Sequence, residues 1–168
     1  MGRRGTSRRD WVEAGQALLV EGGIDAVYGD LEYVASDDPE RVVRYWRAGS
    51  FDRRRLAFGW MPPHPTLFLR REVLTSLGAY DTSYRIAADY HAVLRWFGAD
   101  GIRAHYLPRV LVRMRLGGAS NRSLAQLQRK SSEDYRALRT TGRGPLAAAS
   151  TLAWKNVRKL PQFFRRVR

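Results

Sequence analysis

At 168 residues the chain is long enough for one domain with a real core, and it needs no disulfide or metal staple. The absence of cysteine excludes a disulfide scaffold, thiol catalysis and cysteine-based zinc sites, and 44% apolar residues exclude a disordered basic tail. The formal net charge of +14, carried by 27 arginines and three lysines, points to nucleic acid, an anionic membrane or phosphorylated ligands, unless it reflects coding bias.

Residues 1–9 read as a disordered basic leader. The longest apolar run behind them is Ala17 to Val20, well short of the about 7–15 residues of a signal peptide, so a cytoplasmic protein is expected. Asp10 to Glu21 predicts a helix stopped by Gly22, and Ile24 to Val34 a strand broken near Gly29. Asp38-Pro39 has the chemistry of an N-cap and first helical residue. It predicts a second helix closed by Gly49, with Val42, Val43 and Trp46 as its buried stripe. Residues 50–65 end in Gly59-Trp-Met-Pro-Pro-His-Pro65 and read as a stiff loop, because three prolines in four positions break helix and strand alike. A short strand (Thr66–Leu69), a short helix (Arg71–Leu77) and a longer helix (Ile86–Phe97) follow. Two short strands, Arg103–Tyr106 and Val110–Met114, then flank Pro108. After a Gly117-Gly118 hinge, two long helical patterns run over Asn121–Thr140 and Leu146–Val167. This part carries twelve basic residues against Glu133 and Asp134.

Several residues could carry chemistry. On the Ile86–Phe97 helix, Ile86, Tyr90, Val93 and Phe97 form an apolar stripe, with Asp89 at its edge and Arg95 opposite. An edge carboxylate in a first turn reads either as a dipole-favouring aspartate at the surface or as a general base facing a cleft. The Pro-rich loop suits presentation of the His64 imidazole and an aromatic face to a sugar or base. Asp30 and Glu32, on one strand face, could hold a hard cation, whereas Asp37/Asp38 is accounted for by capping. Neither His91 nor His105 has metal-ligand spacing. Trp154, Val157, Leu160, Phe163 and Phe164, ringed by Lys155, Arg158, Lys159, Arg165 and Arg166, are patterned like an interfacial helix on anionic lipid. No nucleic-acid-binding motif appears, so no specific nucleic acid is expected.

Together, Asp25-Ala-Val-Tyr-Gly-Asp30, Gly59-Trp-Met-Pro-Pro-His-Pro-Thr66, Arg70-Arg-Glu72, Gly78-Ala-Tyr-Asp81, Tyr84-Arg-Ile-Ala-Ala-Asp-Tyr90 and Met114-Arg-Leu-Gly-Gly-Ala-Ser-Asn121 resemble family-two glycosyltransferases of the bacterial polysaccharide and glycolipid branch, over residues 10–165. The resemblance implies an α/β fold: a partial GT-A (Rossmann-like) domain with a small mixed sheet over 10–120, then a basic helical hairpin over 121–168. It implies inverting transfer of a sugar from a nucleotide diphosphate donor to a saccharide or lipid-linked acceptor, with Asp89 as base. It also implies that His64, Pro65 and Thr66 line the acceptor side, Trp60 is a sugar platform, Asp30 and Arg85 contact substrate, and Arg113 and Arg115 approach the diphosphate. Whole members carry a further hundred or so residues ahead of these motifs, including a D-x-D-type motif for a divalent metal (Mg or Mn). The chain therefore resembles an acceptor half without its donor half, expected to bind no metal and to be inactive as a fragment. The peripheral inner face of the membrane is the expected location. The alternative is a non-catalytic basic module that binds a membrane or a partner.

Overall fold

The computed structural model describes residues 15, 19–20, 22–116 and 124–157. Most of the helix expected over 10–21 lies outside these, as do the Gly117-Gly118 hinge and everything beyond Val157; Gly15, Leu19 and Val20 are helical.

The predicted strand at Ile24–Val34 forms β1 (Ala26–Val34), the centre of a mixed sheet. Residues 26–31 and Val34 are buried, as expected of a strand covered on both faces. Along one edge β1 pairs in parallel with β4 (Ala104–Arg115), from Ala26 opposite Ala104 to Val34 opposite Arg115. Its other edge pairs antiparallel with β3 (Phe68–Leu69) at Ala26–Val27 and with β2 (Val42–Trp46) at Leu31–Val34.

Strand β2 stands where a helix was expected. Its Val-Val-Arg-Tyr-Trp run is rich in β-branched and aromatic residues, which suit a pleated surface. Asp38 serves a turn: its Oδ1 accepts from the Glu40 N–H at 2.9 Å, its carbonyl from Arg41, and Ala35 N–H to the Arg41 carbonyl closes the hairpin. The same aspartate chemistry caps helices and builds such turns, so Asp-Pro alone did not distinguish them.

The two strands expected around Pro108 are one. Gly29 is opposite Leu107 and Asp30 opposite Val110, so Pro108 and Arg109 bulge out of the ladder, where proline's missing donor does no harm. The bulge brings β4 against Gly29: a Cβ there would sit 2.5 Å from Leu111 Cγ and 2.9 Å from the Arg109 carbonyl oxygen. The expected irregularity near Gly29 is thus a close approach of two backbones.

Among the described residues four α-helices follow β1 in the chain and pack on the sheet or on one another. Helix α1 (Arg71–Leu77) ends at Gly78, whose φ of +82° is suited to glycine. The Arg95 guanidinium, expected opposite the apolar stripe, caps α1 by donating to the carbonyls of Leu77 (2.9 Å), Gly78 (3.3 Å) and Ala79. Helix α2 (Ala88–Gly98) buries Tyr90, Val93 and Phe97 as expected, and also His91, Ala92, Leu94 and Trp96. It is covered by α3 (Leu124–Thr140), which in turn packs on α4 (Pro145–Val157). Ala137, Leu138 and Ala148 belong to the same core as β1 and α2, so the described part of the basic tail is built into the domain. Lys155, expected among the solvent-facing cations of the last helix, is buried instead: its Nζ bonds Asp134 at 3.0 Å and lies 3.2 Å from the Tyr90 ring centroid.

Replacing Gly29 with alanine forces Leu111 and the β4 backbone apart. The expected result is a loss of about 1–3 kcal/mol in chemical denaturation, typical of overpacking; an unchanged midpoint contradicts the close approach.

Candidate active site

The chain entering α2 lacks a side-chain cap of its own. The Glu133 carboxylate, reaching across from α3, accepts the N–H groups of Arg85, Ile86 and Ala87 at 3.2, 2.8 and 2.9 Å. Three N–H groups of the segment leading into α2, up to its N-cap Ala87, are thereby satisfied beside the positive end of the helix dipole. Burial alone pushes the Glu133 carboxyl up, but those three N–H groups and Arg136 together hold it below the usual carboxylate range.

Two residues on, Asp89 sits half-buried in the first turn. Its Oδ1 accepts from the Tyr90 N–H at 2.7 Å, and none of the ion pairs among the described residues involves it. Tyr33, near the end of β1, and Tyr80, in the loop after α1, are close enough to feel its charge. Burial pushes both phenols up, and the Asp89 carboxylate adds to the shift, opposed at Tyr33 by Arg44. The Arg44 guanidinium lies 5.2 Å from the Tyr33 ring centroid. Tyr80, 46% exposed, meets His64 Nε2 through its hydroxyl at 2.5 Å, and its ring packs edge-on against Trp96. Tyr33 and Tyr80 therefore lie within electrostatic range of Asp89, and His64 is bonded to Tyr80. Tyr80 had been noted only within a motif, and Tyr33 and Arg44 had no role. Their separations in the chain carry no periodic signal, and only the tertiary fold brings them together.

The remaining expected site residues divide. Pro65 and Arg85 are exposed, as is Arg115. Trp60 is no open platform: it is 8% exposed, its indole N–H donates to the Ala48 carbonyl at 3.0 Å, and it packs among Tyr28, Phe51 and Phe97. Thr66 is fully buried, its hydroxyl 2.9 Å from the Gly29 carbonyl and 2.8 Å from that of Pro63, so it ties the Pro-rich loop to β1. Asp30 is 2% exposed and accepts from Tyr45 (2.5 Å), Tyr106 (2.7 Å) and the Ala48 N–H (2.8 Å). That bond leads the causes that push the Tyr45 phenol up to about 12. Through these bonds the Asp30 carboxylate ties β1 to β2 and β4. Arg113 pairs with Glu32 at 2.9 Å and Glu40 at 3.2 Å and remains half-exposed.

The same contacts bear on a divalent metal. Asp30 and Glu32, the pair expected to suit a hard cation, are separately engaged, one by tyrosines and one by Arg113. Among the described residues no three His, Asp or Glu side chains gather in a way that could hold an ion. The described residues therefore offer no ligand set for a divalent metal.

No protein-family model and no solved structure matches the chain. Among curated proteins it is similar to a PGL/p-HBAD biosynthesis glycosyltransferase of Mycobacterium bovis and to the protein of the same name in Mycobacterium tuberculosis. Each is 31% identical over 98 residues, covering 58% of this chain and 36% of the relative. The chain is thus a distant relative of a glycosyltransferase and spans little more than a third of that relative's length.

Glu133 supplies a pH signature. Its folded carboxyl titrates below the unfolded value of about 4.3, so its contribution to stability is complete above that value and is lost as pH falls through the folded one. Glu133→Ala should cost about 1–3 kcal/mol in denaturant titrations at neutral pH by stripping the three N–H groups of their acceptor. The gap between wild type and Glu133→Gln should narrow as the solution is acidified below about pH 4; a gap independent of pH contradicts the cap.

Proposed function

We propose that the chain is the acceptor-side portion of an inverting glycosyltransferase of the GT-A type, acting in cell-surface polysaccharide or glycolipid synthesis at the inner face of the membrane. The observation that carries the reading is Asp89: a half-buried carboxylate without an ion-pair partner among the described residues, in the first turn of a helix whose entry Glu133 caps, within electrostatic range of Tyr33 and Tyr80. The similarity to a named glycosyltransferase, and the motifs around Asp30, His64 and Asp89, support it.

In the proposed reaction an acceptor hydroxyl lies against Asp89. The carboxylate takes its proton as the oxygen attacks the anomeric carbon, and the nucleoside diphosphate leaves from the opposite face. Asp89 lies in the first turn of α2, at the positive end of the helix dipole. Tyr80 and His64 offer polar atoms, and Tyr33 an aromatic face, to position the sugar ring. The acceptor would be a saccharide or a lipid-linked saccharide, and Pro65 and Arg85 are exposed where such a ligand could reach them. The described residues offer no ligand set for Mg or Mn, and no step here runs through a metal.

The rival reading is a non-catalytic module that binds a membrane or a partner, favoured by an apolar outer face on α4. Asp89→Asn separates the two in a chimera that joins this chain to the N-terminal portion of the mycobacterial relative. Initial rates of sugar transfer should fall at least about 100-fold with circular dichroism unchanged, the scale of a lost general base; an unchanged rate favours the module. The isolated chain should show no micromolar heat of binding with nucleotide sugars and manganese.

A further inference from the structure

Helix α4 turns Ala148, Thr151, Leu152 and Lys155 toward the core. Its opposite side is open. Leu146 is 86% exposed, Val157 55% and Trp154 51%, and Pro145, Ala147, Ala149 and Ala153 are exposed between them. At about 100° per residue, Leu146, Ala153 and Val157 fall within one narrow sector directly across from the buried residues, with Trp154 on its flank. Ser150 shares that sector, and its hydroxyl is turned back onto the Ala147 carbonyl at 3.0 Å, so its polarity is met within the helix. From Pro145 to Trp154 there is no charged residue. A continuous aliphatic and aromatic strip of this kind on an otherwise strongly charged chain marks a surface for association.

The charge around the strip says what associates. After Asp134 the sequence contains no Asp or Glu, against nine Arg and Lys. One of them, Lys155, is committed to Asp134 and Tyr90 inside the core. Arg139 is exposed and reaches the Arg143 carbonyl at 2.6 Å, at the turn just before α4. Arg158 and Lys159 follow directly after α4 in the sequence. An apolar strip with cations before and after it fits a layer that is apolar inside and anionic at its surface. Aliphatic side chains offer nothing to the bases or phosphates of a nucleic acid, and a second copy of a chain at +14 would bring like charge to like.

We propose that the outer face of α4, centred on Leu146, Ala153, Trp154 and Val157, docks this chain onto an anionic lipid bilayer. The burial of Lys155 moves this face away from the arrangement in which that lysine is one of the lipid-facing cations. The proposal rests on the membrane location proposed above, for which it names the surface, and it does not depend on Asp89.

The full chain is sedimented with vesicles of phosphatidylcholine alone and of phosphatidylcholine mixed with phosphatidylglycerol. It should bind the mixed vesicles, lose binding as salt rises, and bind pure phosphatidylcholine weakly. Leu146→Ser and Trp154→Ser should each lower the partition coefficient about tenfold, with thermal melts unchanged because neither side chain packs in the core. Absence of binding to mixed vesicles overturns the proposal, as does equal binding to both compositions or full retention by either variant. Self-association or DNA retention that both variants abolish, without vesicle binding, also overturns it and assigns the face to a second copy or to nucleic acid.

Discussion

The reach of one carboxylate across the start of α2 organises the molecule. Glu133 belongs to α3, late in the chain, and closes the three N–H groups that precede Asp89. Its neighbour Asp134 is 2% exposed and gathers Lys130 at 3.3 Å and Lys155 at 3.0 Å, pinning α4 beneath Tyr90. These are the only two acidic residues among the twelve cations that follow residue 120, and neither is left at the surface. A buried pair such as Asp134–Lys155 is costly to break, about 3–5 kcal/mol when one partner is removed, because the other charge stays buried. The described part of the basic tail is therefore not an appendage: its two anions hold the helix that carries the proposed base.

A second constraint works from the opposite side of the core. Tyr28, Phe51, Trp60, Phe97 and Tyr106 pack ring against ring, and Asp30 ties the periphery of that cluster to β2 through Tyr45 and to β4 through Tyr106. Thr66 fastens the Pro-rich loop to Gly29, which leaves His64 beside Tyr80. Asp30, Trp60 and Thr66 thus make structural contacts that hold β1, β2, β4 and the Pro-rich loop together. Preorganised geometry of that kind needs buried, fully bonded polar groups beneath it.

Periodicity carried much of what the sequence could reveal. The α2 pattern marked both the buried stripe and the carboxylate at its edge, and β1 and α1 fall within a residue or two of their expected bounds. What periodicity could not supply is the identity of each polar group's partner. Asp30 and Trp60 have the chemistry of ligands until Tyr45, Tyr106 and the Ala48 carbonyl occupy them, and those contacts span 12 to 76 positions of chain. Lys155 reads as one more surface cation until Asp134 is seen across the helix pair. Asp38-Pro39 failed for a different reason: capping and turn chemistry are the same chemistry, and the β-prone residues after it decided the outcome.

The proposed site is thus a half-buried aspartate at the start of α2, within electrostatic range of two tyrosines, one of which is bonded to His64. Titrating the isotope-labelled chain with acceptor-like saccharides, while following side-chain carboxyl and aromatic NMR signals, tests that assignment directly. The account predicts saturable shifts at Asp89, Tyr33 and Tyr80 while Asp30 and Trp60 stay still. Shifts confined to Asp30 and Trp60, or none at Asp89, would contradict it.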